Sequence, residues 1–194
     1  MCSRYTIIGT RILAERFGGP DYVPRYNAAP GQSLPVITGD HHLRDAIFGI
    51  KGAGGIQRIN ARIEGISPKI PFGLSYCLIP ADGFFEWKGE GMRRQPYYFS
   101  FPEDTIISFA GLYDELQASF CIVTTSAIEP VRAIHQRMPY ILSKRGEERW
   151  IRGLDPELST EKIDVIPVDR RINNPETPDD PVLIHPATRT HAWW

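Results

Sequence analysis

The sequence predicts a β-rich single domain with a few short helices, and three observations carry that expectation. A chain of 194 residues with a 42% hydrophobic and 23% charged composition suits one globular unit with its own core. Its 17 glycines and 17 prolines impose frequent turns and short elements. Short apolar runs such as Leu34 to Thr38, Tyr76 to Ile79 and Phe120 to Val123 recur between those turns, as strands do.

Taken in order, Cys2 to Ile8 reads as a strand, and Arg11 to Phe17 as a brief helix ended by Gly18-Gly19-Pro20. Pro24 to Gly31 reads as a loop, Leu34 to Thr38 as a strand, Asp40-His41-His42 as a hairpin tip and Leu43 to Ile50 as the return strand. In Arg58 to Glu64 polar residues alternate with apolar ones, so a strand there would put Asn60, Arg62 and Glu64 on one face. Tyr76 to Trp87 is a strand interrupted by a turn at Asp82-Gly83. Lys88 to Arg94 is a charged hairpin loop, and Gln95 to Phe101, Thr105 to Glu115 and Ser119 to Thr125 are further strands. Ile128 to His135 is expected as a short helix and Ser143 to Arg152 as an amphipathic one capped by Ser143. Ile163 to Ile172 is a late strand, followed by a Pro- and Asp-rich tail from about residue 175. No repeat or linker divides residues 1–194.

Several functions are disfavoured at this level. No run approaches the roughly 18 apolar residues of a membrane span, and the N-terminus lacks a signal-peptide layout, so a cytoplasmic protein is expected. Cys2, Cys77 and Cys121 have no metal-ligand spacing and their odd number argues against a disulfide framework. Cys77 and Cys121 lie in apolar runs and are expected to be buried and inert. His41-His42 lacks acidic or cysteine partners at ligand spacing, and Gly52 to Gly55 lacks the lysine and helix of a phosphate-binding loop. Neither a metal nor another cofactor is expected. A net charge of −1 gives no global polyanion signal, so any nucleic-acid site must be a local patch.

Three places suggest chemistry. Removal of Met1 would leave Cys2 with both a thiol, reference pKa ~8.5, and an α-amine near ~8. Both would be partly reactive at neutral pH without help from burial. Such a 1,2-aminothiol condenses with an aldehyde to an imine and closes a thiazolidine ring, although from this residue alone an ordinary cysteine at position 2 is the favoured reading. Glu86 stands between Phe85 and Trp87. Aromatic surroundings raise a carboxylate's pKa and suit acid or base work, whereas period two also allows an outward-facing strand residue. His135 follows the short helix in Ile134-His135-Gln136-Arg137-Met138-Pro139, an exposed, loop-like place that suits a functional histidine, though a lone His is more often structural.

The ordered set Met1-Cys2, Arg25 to Pro30, Asn60 to Glu64, Pro80 to Trp87, Gln95 to Tyr98, Phe109 to Leu112, Ile122 to Thr125, Ile134 to Pro139 and Val168 to Asn174 resembles the SRAP (SOS-response-associated peptidase) domain of abasic-site processing proteins. The resemblance covers most of the chain. It implies a single α+β domain, a curved, mainly antiparallel sheet approaching a barrel with peripheral helices, acting as a monomer. It also implies covalent capture of abasic sites in single-stranded DNA, in the DNA-damage response, through a thiazolidine on Cys2. By position, Cys2, Asn60, Glu86 and His135 are the implied catalytic residues. Arg62 is the implied phosphate clamp, with Arg4, Arg25, Arg58 and Arg137 as further backbone contacts.

Two positions depart from the family pattern. Ser3 stands where the family has glycine after Cys2, and Phe48-Gly49-Ile50-Lys51 stands where it has Trp-Gly-Leu with a nearby proline and second tryptophan. The second departure bears on stacking against DNA rather than on the reaction. Two other readings stay open: an N-terminal-nucleophile cysteine peptidase acting on itself or on peptides, and a noncatalytic DNA-binding module in which Glu86 and His135 are structural.

Overall fold

The computed structural model describes residues 2–20, 22–66, 70, 73–91, 94–102 and 105–187. The chain runs through Tyr5–Ile7 (β1), Thr10–Phe17 (α1), Arg25–Ala28 (β2), Ser33–Ile37 (β3), Leu43–Phe48 (β4), Ile50–Lys51 (β5), Gln57–Arg58 (β6) and Asn60–Arg62 (β7). It continues through Leu74–Ala81 (β8), Gly83–Lys88 (β9), Gln95–Ser100 (β10), Ile107–Asp114 (β11) and Ser119–Ser126 (β12). Arg137–Pro139 (β13), Ile141–Leu142 (β14), Lys144–Ile151 (α2) and Asp164–Pro167 (β15) complete it.

Five strands close on themselves in the order β12-β4-β3-β8-β11 and back to β12, antiparallel except for the β12–β4 pair. Closure removes the open edges that an isolated curved sheet would leave. A second, antiparallel sheet has the order β15-β10-β9-β1-β2. The mixed α+β architecture with a curved sheet is the one expected, and the curvature goes to full closure.

Alternation sorts the barrel side chains into two clusters. Phe120 and Ile122 join a core with Phe48, Phe109, Tyr5 and Phe84, while Cys121 and Val123 join one with Leu78, Leu112 and Trp150. Strands β11 and β12 are therefore buried almost throughout, because both faces are covered. Helix α2 supplies one cover: Ser143 caps it by accepting from the Gly146 N–H, worth about 1 kcal/mol. Its buried Trp150 donates to the carbonyls of Cys77 and Gly111. Cys77 and Cys121 are buried within these strands, as their apolar surroundings predict.

Some local expectations are corrected. Residues 25–28 form β2 rather than loop, because they pair with β1 at the edge of the second sheet. Strand β4 ends at Phe48: Gly49 takes φ +114°, and a β-carbon there would lie 2.3 Å from the Gln57 side chain. The segment after it folds as the small β5–β6 hairpin carrying an exposed Ile56. Glu64 leaves the face it was expected to share with Asn60 and Arg62, since β7 stops at Arg62 and Ile63–Gly65 is a 3-10 turn. The helix expected over Ile128 to His135 contracts to a 3-10 turn at Val131–Ala133. The late strand stops at Pro167, and its continuation becomes the 3-10 turn Arg170–Asn173.

Of the expected tail, residues 175–187 are part of the structure and residues 188–194 lie outside the described residues. Val168, Ile172 and Leu183 pack with Phe85, Trp87 and Tyr98 against the outer face of the second sheet. Asp179 accepts from the backbone N–H groups of Tyr26 and Asn27 and pairs with Arg25. Among the described residues no helix is long and apolar enough to cross a membrane.

Candidate functional site

The carboxylate amid aromatics shows how fold and site are linked. Phe85, Glu86 and Trp87 are 0%, 1% and 8% exposed, so Glu86 is not the outward-facing residue that period two also allowed. The C-terminal segment covers the face of β9 that holds Phe85 and Trp87. Parity then turns Glu86 to the same side as Phe84, towards the core that includes Cys2.

The N-terminal segment reaches Glu86 by sheet register. Tyr5 lies opposite Phe84, and the Phe85 N–H donates to the Arg4 carbonyl, so the chain continues towards Cys2 alongside Glu86. Cys2 is fully buried, with its thiol 3.5 Å from the Arg4 carbonyl. Burial, reinforced by the Glu86 carboxylate, pushes the thiol well above its ordinary range. The expectation of a partly ionised thiol concerns Cys2 after loss of Met1; in the chain that carries Met1, burial favours the neutral thiol. Burial likewise raises the Glu86 carboxyl, against the opposing influence of the N-terminal amine and then of the His135 imidazole.

Asn60 and Arg62 arrive from the barrel. Strand β7 lies parallel beside β12, with Asn60 opposite Ile122 and Arg62 opposite Thr124. From there Asn60 Nδ2 donates to the Cys2 carbonyl at 3.0 Å, tying the barrel to the N-terminal segment. Asn60 Oδ1 is buried without a hydrogen-bond partner among the described residues. His135 follows the 3-10 turn, its backbone N–H bonded to the Val131 carbonyl. Its Nδ1 lies 2.8 Å from the Arg137 carbonyl and 3.0 Å from the Arg137 N–H, the tautomer deciding which contact is made. The same Nδ1 is 3.9 Å from Glu86 Oε2. His135 is 29% exposed and Glu86 1%, so the pair joins the buried side of the site to the open side.

On the open side is a cleft of about 510 Å³ lined by Arg62, His135, Trp87, Arg132 and Arg137 among others. The structure thus brings Cys2, Asn60, Glu86 and His135 together and sets Arg62 at the mouth. It does not treat the other arginines alike. Arg137 is held by Glu64 in a two-pronged pair at 2.7 and 3.0 Å and donates to the Thr124 carbonyl at 2.7 Å, so it braces β13 against β12 and the 3-10 turn after β7. Arg25 is engaged by Gln32 and Asp179. Arg4 is 8% exposed, donates to the Ser3 carbonyl, and has its pKa lowered by burial and by the charge of Arg94. Arg58 is exposed, in a neighbouring groove it shares with Asn60 and Arg62. Trp87 and Arg132 line the cleft without having been singled out as site residues. Arg132 falls one short turn before His135, a spacing that becomes legible only once that segment is known to be a 3-10 turn.

Among the described residues no group of three or more His, Cys, Asp or Glu is placed to hold a metal ion. The arrangement is instead suited to moving protons around a buried N-terminal segment: a carboxyl with a raised pKa, an imidazole beside it and an amide holding the backbone.

Comparison with known proteins agrees with this geometry. The family model described as SOS response associated peptidase (SRAP) matches residues 1–175. The chain is 31% identical over 179 residues to the abasic site processing protein YoaM of Bacillus subtilis, covering 78% of this chain and 79% of that protein. It is 32% identical over 180 residues to the abasic site processing protein YedK of Escherichia coli, covering 78% of this chain and 80% of that protein. A crystal structure of a protein from Bacteroides thetaiotaomicron superposes with a TM-score of 0.74 at 24% identity, over 96% of this chain and 100% of that one, and shows the same fold. The chain belongs to the SOS response associated peptidase (SRAP) family.

Proposed function

We propose that this protein processes abasic sites in single-stranded DNA, acting as a monomer and capturing the open-chain aldehyde of the abasic sugar on Cys2. The observation that carries the reading is the meeting, at a buried N-terminal segment, of Cys2 with Asn60, Glu86 and His135. Family membership and relatives named abasic site processing proteins support it.

In this reading the amine exposed by loss of Met1 adds to the aldehyde carbon, and loss of water gives an imine. The thiol then adds to the imine carbon, its proton passing to the imine nitrogen, which closes the thiazolidine. The net change joins aminothiol and aldehyde with release of one water. The raised thiol pKa orders these steps, because a buried neutral thiol is a poor first nucleophile and the amine acts before it. Glu86 takes the proton from the amine. His135, beside Glu86 and open to the cleft, protonates the departing ring oxygen when the sugar opens. Asn60 fixes the Cys2 carbonyl, and its unpartnered Oδ1 accepts a substrate hydroxyl. Arg62 at the mouth clamps a flanking phosphate.

The test is incubation with single-stranded DNA bearing an abasic site, read as a denaturant-resistant band. Cys2→Ala and an N-terminally blocked chain should both lose that band, and survival in either would sink the aminothiol mechanism. A peptidase would instead need the thiolate as its resting nucleophile, which burial opposes. Cys2-dependent peptide cleavage without DNA crosslinking would favour it.

A further inference from the structure

A second groove, of about 850 Å³, lies beside the cleft and is not used by the chemistry above. Gly89 and Glu90 line the cleft and Gly91 the groove, so the turn after β9 separates them. Trp87 connects them: it lines the cleft, and the Arg94 guanidinium stacks on its ring at 4.6 Å. The indole N–H donates to Asn173 Oδ1 at 2.6 Å, and Asn173 Nδ2 donates to the Arg94 carbonyl at 3.1 Å. Arg94 and the turn Arg170–Asn173 are thereby fixed to the same ring. Arg94, Arg170 and Arg171 all line the groove, and among the described residues none that lines it is acidic. All three arginines are exposed. Arg171 approaches Asp169 at 3.3 Å, but both are well exposed, and such a pair is weak enough to yield to a phosphate. In a chain of net charge −1 this is a local concentration of positive charge.

We infer that the groove of Arg94, Arg170 and Arg171 is a second nucleic-acid subsite, taking the sugar–phosphate backbone on one side of the nucleotide held in the cleft. The inference rests on the reading that the cleft receives an abasic nucleotide. The groove recognises phosphates and sugar, not sequence, since its donors are guanidinium forks and asparagine amides. It gives the strand a fixed direction away from Arg62: phosphates on one flank meet Arg62, and those on the other pass Trp87 into the arginine groove.

The experiment is fluorescence anisotropy across a salt series, using single strands that carry a tetrahydrofuran abasic analogue, which cannot react. The probe is placed centrally, or with the flanking nucleotides removed from one end or the other. For the central probe, the double variant Arg170→Ala/Arg171→Ala should lower the slope of log affinity against log salt by about 1.4, at about 0.7 per lost phosphate contact. Arg170→Glu/Arg171→Glu should lower it at least as far. Removing the flank from one particular end should abolish the difference between variant and wild type, and removing the other should not. Melting temperatures check that both variants fold, and crosslinking at saturating reactive DNA should match wild type.

Slopes equal to wild type, or a penalty that persists whichever end is removed, overturn the subsite while leaving abasic-site capture standing if crosslinking is intact. A wild-type protein that shows the arginine-dependent slope but never crosslinks overturns the capture chemistry and keeps the subsite. Wild-type protein that neither binds nor crosslinks overturns both.

Discussion

Asp82 and Glu86 are two carboxyls four residues apart, the first half-buried and the second buried, and burial raises the pKa of both. Asp82 sits where the chain crosses from the barrel strand β8 to β9 in the second sheet. It accepts from the Thr6 hydroxyl and from the backbone N–H groups of Ile8 and Gly9, so its oxygens are committed to fixed donors. Neighbouring Gly83 leaves room for the Tyr98 hydroxyl, which a β-carbon there would meet at 2.2 Å. Glu86 faces groups that can change protonation, His135 at 3.9 Å and the thiol of Cys2. A raised pKa alone does not mark a reactive group. What differs is whether the partners are fixed dipoles, which lock one arrangement, or titratable groups that can exchange a proton with it.

Substitution should separate the two. Glu86→Gln is expected to slow crosslinking by about 10²–10⁴-fold, the usual contribution of a positioned acid–base group. It should not lower stability near neutral pH. The sign follows from the direction of the shift. A carboxyl whose folded pKa lies above its unfolded value contributes stability that is present below the unfolded pKa and lost as pH rises through the folded one. As pH rises through that folded value the ionising Glu86 becomes a cost, and the amide does not carry it. A fall in melting temperature with unchanged crosslinking would reverse the roles assigned to the two carboxyls.

The pH profile sharpens the same point. If Glu86 acts as the base, the crosslinking rate should climb with pH through a midpoint above the ordinary carboxylate range, because burial dominates its shift. That limb should be absent in Glu86→Gln and present in Asp82→Asn.

Asp82→Ala should behave in the opposite way to Glu86→Gln. It leaves three donors without their acceptor at about 1–3 kcal/mol each, which at about 2–4 °C per kcal/mol for a chain of this size lowers the melting temperature by at least about 6 °C. Crosslinking per folded molecule should be close to native. Calorimetry beside the gel assay would show whether the corner is as purely structural as its hydrogen bonds indicate.

Smaller effects are expected at the rim. Asn60→Ala removes the bond to the Cys2 carbonyl, and a loss of about tenfold in crosslinking rate follows from about 1.4 kcal/mol of positioning. Arg62→Ala should leave the rate at saturating DNA unchanged and lower the salt slope of binding by about 0.7, one phosphate contact. Arg137→Ala should instead lower stability, since its partners are Glu64 and Thr124. A pure binding defect there would overturn its structural role.

Much of the fold was legible in the chain itself. Apolar runs, turn residues and the Ser143 cap are local signals, and β3, β8 to β12 and α2 formed close to where those signals lie. The edge strand β2 was misread because its pairing with β1, not local preference, sets it, whereas the expected helix before His135 contracts to a 3-10 turn closed by its own local backbone bonds. Cys2, Asn60, Glu86 and His135 were legible as residue types and as an ordered family pattern. Which arginines face the cleft was not legible, because Glu64, Asp179 and Gln32 claim Arg137 and Arg25 only after folding.

By itself, then, the sequence determined the β-rich character and the burial of Cys77 and Cys121, since these follow from composition and alternation, while the candidate reactive groups came as residue types and as an ordered family pattern. The tertiary structure decided the state of those groups. Closing the barrel, laying the C-terminal segment over Phe85 and Trp87, and running the N-terminal segment along β9 bury the Cys2 thiol and turn Glu86 towards it. Desolvation depends on what covers a group, and here the covering residues lie as far along the chain as Leu183.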